Sequence, residues 1–163
     1  MQEATELGAT VVALAGSTRK AALAPSLGAG VAVDYQRPGW TAEVRYALAG
    51  RIPTVALDGV GGAVRRAVFE LLGRGGRLVR FGWASGAPAQ IDAGEFSARD
   101  VAEVRARIPQ QPDALRLLES TALEKAASGA WRPRVDVFPL SRGSPGLGAP
   151  RSRATTGKVV LVP

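Results

Sequence analysis

The chain has 163 residues, 46% of them apolar and 6% aromatic, which suits one soluble domain with its own core and argues against two. Its formal charge is +7 and it holds neither histidine nor cysteine, so disulfides are excluded and a zinc site would lack its usual ligands; no metal is expected. No apolar run is long enough to span a membrane, and Glu3 and Glu6 stand where a secretory signal would be basic, so a cytoplasmic location without membrane contact is expected.

The distribution of charge argues against a nucleic-acid partner. Residues 1–130 carry 15 basic and 13 acidic side chains, whereas residues 131–163 carry 6 basic ones against Asp136 alone. The basic residues before that tail are scattered, with no aromatic residues between them, as on a solvated surface.

In chain order, "MQEATELGA" reads as the last turns of a helix. Four apolar runs follow: "TVVALA" (10–15), "VAVDY" (31–35), "TVALD" (54–58) and "RLVRF" (77–81). The first three read as buried strands, and "TVVALA" is apolar almost throughout, as in a strand covered on both faces. Trp40, Val44, Ala47 and Leu48 form a helical stripe, and Val64, Ala67, Val68, Leu71 and Leu72 form another. Gly8, Gly28, Gly50 and Gly73 stand where left-handed helix caps would turn the chain into the next strand.

Strands alternating with helices in this way define βαβ units, so the expected class is a doubly wound parallel α/β sheet, Rossmann-like, whose first βα unit is incomplete. Beyond Ala84, "SGAPAQIDAGEF" reads as a polar connection, and Val101, Val104 and Ile108 as a short helix broken by "PQQP". A longer helix is expected from about Asp113 to Ala127. Two strand-like runs, "RVDVFPL" (134–140) and "GKVVLVP" (157–163), flank a Gly, Pro, Ser and Arg-rich stretch expected to be a flexible loop. The expected division is a Rossmann-like domain at 1–130 and a tail at 131–163.

Ligands of open parallel sheets bind beyond the carboxyl ends of the strands. After the first run comes "AGSTRK". A carboxylate there would suit the ribose hydroxyls of NAD; Ser17, Arg19 and Lys20 would instead accept a 2′-phosphate, which points to NADPH. A solvated polar turn remains equally open on these residues. Asp34-Tyr35 follows the second run, and Tyr35 either packs on the adenosine or is an ordinary half-buried tyrosine. "DGVGG" (58–62) permits close backbone approach before a helix, although Asp58 could simply cap it. "FGWASG" (81–86) offers Gly82 to the nicotinamide end.

The order "LGATVVALAGSTRKAALAPSLGAGVAVDY", "ALDGVGG", "GGRLVRFGWASG" and "ATTGKVVLVP" resembles the medium-chain dehydrogenase/reductase superfamily. It is most similar to the zinc-independent quinone oxidoreductase branch, often labelled zinc-binding dehydrogenase. The resemblance covers most of 1–85, resumes near Leu115, and includes "FPL" and "TGKVVL". It implies an NADPH-dependent reductase that passes hydride from nicotinamide to a quinone or an α,β-unsaturated carbonyl. On matching positions, Ser17, Lys20 and Tyr35 would hold the adenosine 2′-phosphate end, with Arg19 a weaker addition. Val60, Phe81, Gly82 and Trp83 would line the nicotinamide side. No catalytic residue is assigned, because only Tyr35 and Tyr46 offer phenols as general acids.

The chain departs from the family in three places. An upstream catalytic domain, a strand and a Gly-rich pyrophosphate loop are not in the sequence. The segment after Glu95 lacks the β-rich stretch that normally adds a strand. "GSPGLGAPRSR" replaces a helix that usually starts near a histidine, a swap compatible with a local frame disruption. The expectation is therefore the carboxyl half of a reductase, with little activity alone, whose last two strands normally pair with the catalytic domain. The alternative is a non-catalytic nucleotide-binding or interaction module that pairs with a separate catalytic domain; a homodimer is also left open.

Overall fold

The computed structural model describes residues 1–143 and 155–163. Strands β1 (Val12–Ala15) and β2 (Val31–Asp34) form one sheet, and β3 (Val55–Asp58), β4 (Gly76–Arg80) and β5 (Val101–Arg105) form a second in that order. Strands β6 (Val135–Pro139) and β7 (Lys158–Val162) make a third. All four strand pairings among the described residues are parallel. The helices are α1 (Gln2–Glu6), α2 (Thr18–Ala21), α3 (Trp40–Leu48), α4 (Gly62–Leu71), α5 (Ala93–Arg99) and α6 (Pro112–Ala127). The expected Rossmann-like α/β class holds. Among the described residues no helix is long and apolar enough to cross a membrane.

Helix α4 joins the β1–β2 and β3–β4–β5 sheets. Phe69 and Leu72 at its end pack with Leu78, Phe96 and Val101 of the β3–β4–β5 side. Leu71 turns the other way and packs with Val33, Val44 and Leu48 of β2 and α3. At the opposite end of the strands, Arg51 Nη1 donates to Thr10 Oγ1 at 3.1 Å, tying the approach to β3 to the approach to β1.

Several expectations need correction. The supposed helix at Val101 and Val104 is the strand β5, paired along its length with β4, so the further strand expected to be lacking is present. The preceding "polar connection" contains α5, opened by a reciprocal capping box. Asp92 accepts from Glu95 N at 2.8 Å, while Glu95 Oε1 accepts from Asp92 N at 3.3 Å. Asp100, with φ 52°, ends the helix and starts the strand.

The strands are also less covered than their composition suggests. β1 is half-buried throughout, and β3 exposes Val55 and Leu57. Each of these strands has a ladder partner on one side among the described residues, so apolar side chains that would sit inside a wider sheet face outward. On α4 the buried face is centred on Arg65 and Phe69, with Val64, Ala67 and Val68 only half-buried. Gly8, Gly28 and Gly50 are left-handed as expected, but at the fourth junction that role belongs to Gly75 rather than Gly73.

The expected long helix is α6. The last two runs are strands that pair with each other, Val137 opposite Val160, and expose Val135, Val137, Val160 and Val162. The expected loop at 141–156 falls largely on 144–154, outside the described residues, as does most of "GSPGLGAPRSR". At the other terminus, α1 is tied to the α6–β6 junction. Gln2 Oε1 accepts from Arg132 N at 2.7 Å, and Lys125 bonds Glu6.

Candidate functional site

The candidate residues gather at the carboxyl ends of two parallel strand pairs. After β1, Ser17 adopts extended backbone and its Oγ accepts from Lys20 N at 3.2 Å, which starts the short helix α2. Thr18 Oγ1 donates to Asp34 Oδ2 at 2.9 Å, and Asp34 Oδ1 accepts from Gln36 N at 3.0 Å. The acid that ends β2 is thereby turned onto its own loop and α2. Ser17, Lys20 and Tyr35 are half-buried, while Arg19 is exposed. A cleft of about 190 Å³ lies beside Lys20, with Ala13, Leu14 and Leu23 as apolar wall and Lys20, Arg134 and Thr156 as polar lining.

Tyr35 sits directly over Gly16. The ladder continues one step past the strands, with Tyr35 N donating to Ala15 O at 3.0 Å, and a Cβ on Gly16 would lie 2.8 Å from the tyrosine hydroxyl. Only a glycine lets the ring lie this close to the main chain.

The second pair repeats the arrangement. Phe81 N donates to Asp58 O at 3.0 Å, and Phe81 lies over Gly59. Gly82 approaches the Gly59 carbonyl so closely that a Cβ would be 3.1 Å from it. The 58–62 and 81–87 turns are then stitched together, with Ala84 N donating to Gly59 O at 3.0 Å and Ser85 N to Val60 O at 2.8 Å. Val60 is half-buried, and Phe81 and Trp83 are exposed, at 64% and 58%. Asp58 serves the turn itself: its Oδ1 accepts from Val60 N at 2.9 Å and Gly61 N at 3.1 Å.

The structure thus brings Ser17, Lys20 and Tyr35 together at one end, and Val60, Phe81, Gly82 and Trp83 together at the other. No ladder joins β1 to β3 among the described residues. Sequence reasoning missed Thr18, Arg65 and Glu103. A polar residue one position after a helix cap gives no periodic signal, and a buried arginine on an apolar stripe is the rarer case.

The tail also reaches the first group. The Asp136 carboxyl is held below its ordinary value of 3.8, chiefly because its Oδ2 accepts from Thr156 N and Gly157 N, with help from the positive charges of Arg134 and Arg19.

Parallel strands with helical crossovers, and glycine-bearing turns at their carboxyl ends, define a Rossmann-like domain of the dinucleotide-binding architecture. The zinc-binding dehydrogenase family matches residues 1–120, and the chain belongs to that family. It is 31% identical over 161 residues to quinone oxidoreductase-like protein 2 of Bos taurus, covering 95% of this chain and 46% of that protein. Among solved structures, the Escherichia coli quinone oxidoreductase complexed with NADPH superposes with a TM-score of 0.88 at 25% identity, over 99% of this chain and 52% of that one. A mycobacterial protein complexed with NADPH gives 0.87 at 28% identity, over 99% and 52%. The chain spans about half the length of these relatives.

The metal in the family's name does not fit the residues present. The sequence has no histidine or cysteine, and among the described residues no group of three or more acidic side chains could hold a metal ion.

Proposed function

We propose that this chain supplies the cofactor-binding part of an NADPH-dependent oxidoreductase that reduces a quinone or an α,β-unsaturated carbonyl. The observation that carries the reading is the turn after β1. Ser17 and Lys20 stand there, and the neighbouring acid, Asp34, has one oxygen bonded to Thr18 and the other to Gln36. A hydroxyl and a cation beside an engaged carboxylate suit a 2′-phosphate better than bare ribose hydroxyls. Tyr35 would flank the adenosine from its seat on Gly16.

At the other end, the half-buried Val60 and the exposed Phe81 and Trp83 would wall the nicotinamide, with Gly82 allowing main chain to approach it. When bound, NADPH supplies the hydride; the residues of this chain bind it, orient it and shield one face from water. The chain itself contributes no evident proton donor beyond its two tyrosines.

A second partner, either another polypeptide or a longer form of the protein, completes the substrate pocket. Support comes from surface that a wider assembly would cover. Val55 and Leu57 on β3 are exposed, and so are Val135, Val137, Val160 and Val162 on the β6–β7 ribbon. The same exposed surface favours a second reading, a nucleotide-binding module without its own catalysis that docks onto a catalytic domain.

The experiment is to mix the purified chain with NADPH and a small quinone, following cofactor binding and oxidation separately. Binding without oxidation above background is expected. Turnover by the chain alone would overturn the need for a second partner, and failure to bind NADPH would overturn the cofactor reading.

A further inference from the structure

Arg65 lies in the first half of α4 and is only 4% exposed. A buried guanidinium is costly unless charged, hydrogen-bonded partners replace its water. Its Nη2 donates to Glu103 Oε1 on β5, and its Nε lies 3.8 Å from Asp58 Oδ2 at the end of β3. Glu103 Oε1 is also 3.6 Å from Arg80 Nε on β4. Two carboxylates and two guanidiniums, from α4 and from three adjacent strands, therefore alternate, and their charges cancel.

Asp58 is almost as buried, at 5%, and its two oxygens act differently. Oδ1 takes the Val60 and Gly61 amides, while Oδ2 makes no hydrogen bond and faces Arg65. Without a cation beside it, a buried carboxylate would have reason to turn its Oδ2 toward water, and turning would release the two amides held by Oδ1. The turn they shape is the one whose Gly59 and Val60 carbonyls hold Ala84 and Ser85. A continuous path of contact thus runs from the exposed Glu103 through Arg65 and Asp58 to the wall formed by Phe81 and Trp83.

We propose that Arg65 is a positioning residue: anchored by Glu103, it holds Asp58 in the orientation that fixes the Val60 and Gly61 amides and so sets the shape of the 58–62 turn. In identifying that turn's ligand as the nicotinamide end of NADPH, this inference rests on the function proposed above.

The test measures amide hydrogen exchange on the full chain, in wild type, Arg65→Met, Arg65→Lys and Phe69→Leu. The last loosens the same helix and leaves Arg65, Asp58, Glu103 and Arg80 in place. In Arg65→Met, exchange at Val60 and Gly61 rises about tenfold more than across β3 and β4, and Arg65→Lys recovers part of the protection. In Phe69→Leu the core amides speed up together. A uniform acceleration in Arg65→Met makes Arg65 a fold anchor only and overturns the proposal. If Arg65→Met does not fold, Glu103→Gln is read in its place: selective loss at Val60 and Gly61 is expected, and unchanged protection there overturns the proposal.

A ligand experiment separates this from the functional reading. Arg65→Met weakens NADPH about tenfold and leaves adenosine 2′,5′-bisphosphate, which reaches only the Ser17 and Lys20 end, unchanged. Equal weakening of both contradicts the positioning role. A wild-type chain that binds neither contradicts the function proposed above, and the exchange measurement still decides the role of Arg65.

Discussion

Phe81 lies so close over Gly59 that a Cβ on the glycine would come within 2.6 Å of the ring edge. One sheet away, Tyr35 stands over Gly16 in the same way. In both cases the aromatic residue is one step past the end of a strand, and its glycine is one step past the end of the neighbouring parallel strand. The two ends of the candidate site are built on one device.

That geometry separates two glycine substitutions. In Gly59→Ala the clash falls on the far edge of an exposed side chain, which can swing away, so the cost is about 1 kcal/mol or less and the displaced Phe81 is the main effect. In Gly61→Ala the new Cβ meets the Ala87 carbonyl at 2.7 Å, and the backbone sits at φ 75°, so a cost of about 2–3 kcal/mol is expected. Chemical denaturation of the two variants checks the order; equal costs would mean that the 58–62 and 81–87 turns are not locked together as described.

The core makes a stronger demand on Phe69. It is fully buried, edge-to-face with Phe96 at 4.8 Å between centroids, and flanked by the guanidiniums of Arg66 and Arg99. Phe69→Ala should cost about 3–5 kcal/mol by denaturant titration. Leu57→Ala removes a side chain that is already 64% exposed and should cost about 0.5 kcal/mol or less. A large loss at Leu57 would show that its face is covered in solution.

Acid should loosen the turn of the tail that Asp136 holds. Asp136 has its folded value depressed by the Thr156 and Gly157 amides, so its contribution is complete above the ordinary value of 3.8 and is lost as pH falls through the lower folded value. Protection of the Thr156 and Gly157 amides should therefore fall in that acid window. Asp136→Asn, which cannot ionise, should abolish the pH dependence, and a dependence that persists in that variant would assign it to another group.

Much of the fold was legible because periodicity carried it. The strands at 12–15, 31–34, 55–58 and 76–80, and the helix at 112–127, follow from apolar runs and stripes. The misreading of β5 came from Val101 and Val104, three apart on a strand where only Val101 is buried, so no two-residue alternation marks it. Helix α5 was readable from Asp92 and Glu95, the two halves of its capping box, but its single buried residue, Phe96, makes no stripe. At the candidate site, the strand ends pointed to Ser17, Lys20, Tyr35 and Gly82, because candidate ligand positions in a parallel sheet follow from topology, whereas Val60, Phe81 and Trp83 came from the family resemblance. The charges of Arg65, Asp58 and Glu103 were not readable as a set. Their meeting depends on how α4 lies across β3 and β5, and no local pattern encodes that.

On the function proposed above, the turn after β1 selects the 2′-phosphorylated dinucleotide. Calorimetry of NADPH and NADH against the wild-type chain and Lys20→Ala tests it most directly. The expected result is NADPH binding at least about tenfold tighter than NADH, with most of that preference lost in Lys20→Ala. Equal affinity for the two cofactors, or no heat of binding at about 1 mM NADPH, would contradict it.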